Sequence, residues 1–175
     1  MSVISVAQAK AHLNITAGTS DAEIQAFVDS CEAAIARHVG PLSATAVTAE
    51  ASGGGRALIL PTTPAISLTS VTDDAGTTVP TADLHINSDG IVTYNGGGTF
   101  AAAWYTVTYQ AGRATLPDDL MLAVLELLRH KWRASQRGGT NRNQAEMLAN
   151  TLPGAAYTFP FAVTELMAPH LRVGV

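Results

Sequence analysis

Pro117-Asp118-Asp119-Leu120-Met121-Leu122-Ala123-Val124-Leu125-Glu126-Leu127-Leu128-Arg129-His130-Lys131-Trp132 is the stretch that decides the fold. Proline suits a first helical position, where its missing N–H has no intrahelical acceptor, and the two aspartates sit at the positive end of the helix dipole. Leu120, Val124, Leu127, Leu128 and Lys131 follow at helical spacing, and Met121, Leu125 and Trp132 widen the apolar surface beyond one stripe. A surface this wide can serve both the chain's own core and a neighbour. The pattern predicts a helix over 118–136, broken by Gly138-Gly139.

Two shorter helices are predicted upstream. Ser5 and Gln8 make a capping box that starts a helix running to about Leu13, before a turn at Thr16–Gly18. Ser20 and Glu23 make a second box, with Asp21 adding negative charge to the helix start. Ile24, Phe27, Val28, Cys31, Ile35 and Val39 then form one apolar face, and Gly40-Pro41 ends the helix.

Between these helical parts the texture changes to Thr, Val, Gly and Pro with two-residue alternation. Ala57–Leu60, Ile66–Thr72, Leu84–Asn87, Ile91–Tyr94 and Trp104–Tyr109 are the candidate strands, with a hairpin turn at Asn87-Ser88-Asp89-Gly90. Ala44–Gly55 is small and polar, and a mobile loop is expected there. Beyond the long helix, Asn143–Asn150 has a modest helical pattern and Pro153-Gly154 breaks it. Phe159-Pro160-Phe161 through Pro169 reads as an extended arm with one helical turn. The expected fold class is α+β: a small helical bundle of two N-terminal helices and one long helix, an inserted small antiparallel β-sheet, and an extended C-terminal arm. A single domain over 1–175 is expected, made of a helical hairpin (1–41), a β insert (42–115), the long helix with its following segment (116–157) and the arm (158–175).

Composition narrows the function. The 175 residues include 30 alanines, and only 14% are charged, against roughly 25% in a typical soluble domain. So sparse a charge suggests that other subunits cover part of the surface. Net charge is −4, which argues against a polyanion binder overall. It is unevenly spread: residues 1–89 carry nine acids against Lys10, Arg37 and Arg56, whereas 129–142 carry Arg129, Lys131, Arg133, Arg137 and Arg142 and no acid. Such a chain can pair with copies of itself as readily as with another partner. A single cysteine, Cys31, excludes a disulfide framework and a Cys-based zinc site. The sequence carries neither an apolar run of membrane-spanning length nor a secretory leader pattern, so no membrane partner is expected.

Candidate chemical sites each have a structural reading that fits better. Gly53–Gly55 and Gly96–Gly98 lack the Lys-Ser/Thr pair and the following helix of a phosphate cradle. Asp73-Asp74 precedes Ala-Gly in a turn, and Asp118-Asp119 starts a helix. The five histidines never fall at i, i+4 on one helix, and Cys31 lies on an apolar stripe. No catalytic, cofactor-binding or metal-ligating residues are assigned, and no cofactor is expected. An enzyme using Asp73 or Asp119 has no supporting constellation. Arg129, Arg133 and Arg137 share one helix face and, with Arg142, suit either phosphates or an acidic neighbour. The alternative function is therefore a small DNA-binding protein using residues 129–142.

The order of the pieces resembles a known family. Val6-Ala7-Gln8-Ala9-Lys10-Ala11-His12-Leu13 is followed by Asp21-x-Glu23-Ile24, Gly40-Pro41, Leu60-Pro61-x-x-Pro64, Ser70-Val71-Thr72-Asp73, Val107-Thr108-Tyr109-x-Ala111-Gly112 and Leu116-Pro117-x-Asp119-Leu120. Phe159-Pro160-x-x-Val163-x-x-Leu166-Met167-x-Pro169-His170 closes it. This succession resembles the head–tail connector (adaptor) proteins of long-tailed bacteriophages, whose short members are almost wholly helical and lack so large a β insert. The resemblance implies a non-enzymatic virion protein at the neck, assembled in the host cytoplasm. It implies a homo-oligomeric ring of about twelve copies on the portal protein, extending the channel for packaged DNA and joining the head to a stopper or tail-completion protein. In that frame Phe159, Phe161, Leu166, Met167, Pro169 and Leu171 are expected to contact the portal or a neighbour. Arg129, Arg133, Arg137 and Arg142 are expected to face another subunit or DNA, and Leu125, Leu128 and Trp132 to lie on the ring-wall helix.

Overall fold

The capping box at Ser5 is formed. Ser5 Oγ accepts from the Gln8 N–H at 3.2 Å, and Gln8 Oε1 accepts from the Ser5 N–H at 2.9 Å. Helix α1 (Val6–Leu13) ends at Asn14, which takes the left-handed conformation with φ 57°. Helix α2 (Asp21–Val39) buries Ile24, Val28, Cys31, Ile35 and Val39, as its spacing predicts, and Gly40 follows with φ 84°. The computed structural model describes residues 2–16, 20–137 and 159–171. They belong to two units, Met1–Val39 with Pro117–Val175 and Gly40–Leu116. Arg142, the side chain of Arg137, the Asn143–Asn150 pattern and the Pro153-Gly154 break lie outside the described residues.

The first unit is helical. Helix α3 (Asp118–Arg137) buries Leu120, Ala123, Val124, Leu127 and Leu128 along one side. Trp132 meets Phe27 edge-on at 5.7 Å, and Lys131 Nζ donates to Ser30 Oγ at 3.0 Å, so the second half of α3 lies beside the first half of α2. The C-terminal segment differs from the extended arm with one turn expected above. Phe161–Met167 forms helix α4, continued by a 3-10 turn at Ala168–His170. Pro160 starts it by offering its carbonyl to the N–H groups of Val163 and Thr164 at 2.9 and 3.1 Å. Helical geometry places Val163 and Met167 on one side, where both are buried, and four-residue spacing makes that possible only if the segment coils.

The second unit is built from strands β1 (Thr45–Ser52), β2 (Ala57–Ile59), β3 (Ala65–Asp73), β4 (Thr78–Val79), β5 (Leu84–Ile86), β6 (Ile91–Tyr94) and β7 (Trp104–Ala111). In place of the one small sheet expected, there are two antiparallel sheets, ordered β1-β7-β3-β4 and β2-β6-β5. Their inner faces share one core that includes Leu58, Val71, Val92, Phe100, Val107 and Tyr109. The Tyr109 hydroxyl is satisfied inside it, accepting from the Thr62 N–H and donating to the Thr62 carbonyl, each at 3.1 Å. The predicted hairpin turn joins β5 to β6, with Gly90 at φ 76° and the Gly90 N–H on the Asn87 carbonyl at 3.1 Å.

The expectation of a mobile loop at Ala44–Gly55 is overturned. Residues Thr45–Ser52 pair with β7 in unbroken register from Thr45↔Ala111 to Ser52↔Trp104. The stretch looked loop-like because Ala49 and Ala51 are weak strand formers. Pairing with a strand distant in sequence overrides that preference. Gly53 continues the ladder, donating to the Ala103 carbonyl at 2.8 Å, and a Cβ there would stand 2.1 Å from the Ala101 carbonyl oxygen. The glycine is needed for close backbone approach.

Candidate assembly surfaces

The expected contact residues separate into core and surface once the helices are placed. On α3, Leu128 is fully buried and belongs to the helical unit's own core, whereas Leu125 and Trp132 are half-buried. Leu122, which the sequence reading passed over, is 42% exposed. It lies on the helix side opposite Leu120, Val124 and Leu127, in line with Leu125, Arg129 and Trp132. Its signal was present: it falls outside the three- and four-residue spacing of the buried set.

The basic residues are not alike. Arg129 is held by Glu126 one turn before it on α3, and the other oxygen of that carboxylate lies 3.6 Å from His12 Nε2 on α1. Lys131 turns inward to Ser30. Arg133 is exposed. The basic stretch is therefore partly spent on holding the helices together, and among the described side chains of α3 Arg129 and Lys131 are already engaged within the chain.

At the C-terminal segment one side docks and the other faces outward. Met167 is 2% exposed and belongs to the unit's own core, a correction to its expected place on a contact surface. Phe161 is 79% exposed and Leu171 45%; Pro169 is exposed, and Phe159 and Leu166 are half-buried. The Phe159 ring meets His38 edge-on at 5.2 Å. At the far end, His170 Nε2 lies 2.7 Å from Asp119 Oδ2, and Asp119 Oδ1 accepts from the Leu120 N–H at 2.8 Å. Partial burial pushes the Asp119 carboxyl up. The hydrogen bonds from His170 and Leu120 and the charge of His170 outweigh it, leaving the group below its ordinary value.

A second carboxylate organises the N-terminus. Glu32 Oε1 accepts from Ser2 Oγ at 2.8 Å, from the Val3 N–H at 2.9 Å and from the Ile4 N–H at 2.8 Å. That contact delivers Ile4, fully buried, into the helical core. Nothing in the local pattern around Glu32 marks it, since its partners lie in another segment. Among the described residues no group of three or more His, Cys, Asp or Glu side chains is arranged to hold a metal, and no helix is long and apolar enough to cross a membrane.

The profile of the head completion protein family matches residues 2–148. A comparison with curated proteins gave no match. Solved structures do match in fold. A chain from the neck of an empty gene transfer agent particle, computed with C6 symmetry, is 22% identical with a TM-score of 0.66, covering 98% of this chain and 91% of that one. A chain from the neck of the native particle, computed with C12 symmetry, is 21% identical with a TM-score of 0.65, covering 97% and 89%. A chain from the virion of the native particle is 22% identical with a TM-score of 0.63, covering 98% and 91%.

Proposed function

The chain belongs to the head completion protein family, and from that membership we propose that it is a structural protein of the virion neck, a connector between head and tail. The observation that carries this reading is the fold, which is shared across nearly the whole chain with neck chains of a phage-like particle. Copies form a ring of about twelve, in keeping with the C12 symmetry used for the native particle's neck and with closure by contacts between unlike faces. The ring sits on the portal, continues the channel through which packaged DNA passes, and offers its other side to a stopper or tail-completion protein. Its role is assembly and not catalysis.

Within that reading, the exposed side of the C-terminal segment is the portal contact. Phe161 and Leu171 are its anchors, and Pro169, Leu166 and Phe159 flank them. Large apolar side chains left this open suit burial against a partner, where a few anchors supply most of the binding energy. Leu122 and Leu125 on α3 and the exposed Arg133 face a neighbouring copy. The DNA-binding alternative has no observation in its favour, because Arg129 and Lys131 already have partners within the chain.

The test is electron microscopy of the purified chain mixed with its portal. Rings capping portal rings are expected. Removing residues 158–175 would also strip Val163 and Met167 from the core, so the discriminating variants are Phe161→Asp and Leu171→Asp. Each is expected to keep the monomer's melting temperature and lose capping. Undiminished capping by both variants would move the portal contact elsewhere, and no rings of any kind would overturn the connector reading.

A further inference from the structure

Strand β1 is the long open edge of the β unit. It spans eight residues and stands last in its sheet, paired on one side only. The Gly53 N–H donates to the Ala103 carbonyl, and the register with β7 is unbroken. Main-chain groups alternate in direction along a strand. Continuing from Gly53, the odd-numbered residues of β1 therefore aim theirs at β7, and Ala46, Thr48, Glu50 and Ser52 aim theirs away from the sheet.

Natural sheets blunt such edges with proline, lysine, bulges or brevity. The other edges here follow that rule. Strand β4 has two residues and runs straight into Pro80, and β2 and β5 have three each. Strand β1 has no proline, no lysine and no bulge, and Glu50 is its one charge. An edge left this receptive is what strand addition uses, with main-chain hydrogen bonds giving affinity and alternate side chains giving selectivity.

We propose that in the assembled neck the β1 edge receives an extended segment of a different polypeptide; this rests on the connector reading above. Symmetry selects the occupant. Pairing β1 with β1 of a second copy is two-fold and closes a dimer, whereas a ring joins unlike faces. The remaining edges among the described residues are two or three residues long and cannot match eight. With no described edge of a second copy matching β1 in length, the strand is assigned to a second protein of the particle. Thr48, Glu50 and Ser52 are short or flexible beside it, and Glu50 favours a lysine or arginine at the facing position.

Amide hydrogen exchange over 45–52, compared between the free chain and intact neck-bearing particles, tests this. The amides of Ala46, Thr48, Glu50 and Ser52 are expected to exchange at least roughly tenfold more slowly in particles, as open edge amides become laddered. Glu50→Pro removes an outward N–H and the strand's one charge, and it leaves the Thr48–Thr108 hydroxyl pair across β1 and β7 in place. It should keep the free chain's melting temperature and abolish the added protection, and a photo-crosslinking residue at position 48 should capture a different protein of the particle. Equal exchange in both states, in particles whose neck ring is intact, overturns the proposal and leaves the connector reading standing. A crosslink to another copy of this chain also overturns it. Particles that lack the chain at the neck overturn both.

Discussion

His170 closes on Asp119 across 51 positions of sequence, with Nε2 at 2.7 Å from Oδ2. The contact fastens the end of the C-terminal segment to the first turn of α3, where the helix dipole already favours a carboxylate. Asp119 → Asn and His170 → Ala are each expected to cost a few tenths to about 1 kcal/mol, as for a partly exposed pair. They should raise amide exchange across Phe161–Met167 before the rest of the helical unit responds. Because the Asp119 carboxyl is held below its ordinary value, its contribution is complete above about pH 4 and lost as the pH falls through its folded value. The wild-type chain should therefore lose stability more steeply in acid than the Asp119 → Asn variant. Parallel acid profiles would refute the assignment.

Glu32 fastens the other end of the chain. Its single oxygen Oε1 serves two backbone N–H groups and a hydroxyl, so Glu32→Ala leaves partly buried donors without an acceptor. A loss of about 1–3 kcal/mol is expected, read as a lower urea midpoint. Exchange at Val3 and Ile4 should accelerate in the same variant.

Leu128 and Leu122 lie on the same helix and should behave oppositely. Leu128 is fully buried, so Leu128→Ala should cost about 2–5 kcal/mol in the isolated chain. Leu122→Asp should leave the urea midpoint nearly unchanged and reduce ring formation on the portal. Equal losses of monomer stability in the two variants would contradict this division of α3.

Burial pushes the Cys31 thiol up to about 11, with Lys131 pulling it down and Glu32 adding to the rise. The reactive form is the thiolate. Alkylation at pH 8 is expected to be negligible in the native chain and complete in urea, with the rate tracking unfolding. Rapid native labelling would mean that α2 does not bury this position.

The sequence alone determined the three main helices and the apolar sides of α2 and α3, because caps, dipole charges and three- or four-residue spacing act within a few residues. Ser5 with Gln8, the run from Ile24 to Val39 and the run from Leu120 to Leu128 are local statements of that kind. The Asn87–Gly90 hairpin was legible for the same reason. Strand β1 was not. Thr45-Ala46-Val47-Thr48-Ala49-Glu50-Ala51-Ser52 has little preference of its own and becomes a strand only because β7, far along the chain, offers it a ladder. The division of Leu128 from Leu122, the burial of Met167, and the grip of Glu32 on Ile4 and of Asp119 on His170 likewise came from the tertiary structure. Hydrogen bonds and burial between distant segments depend on where the backbone brings them, and side-chain chemistry read in order along the chain does not contain that distance.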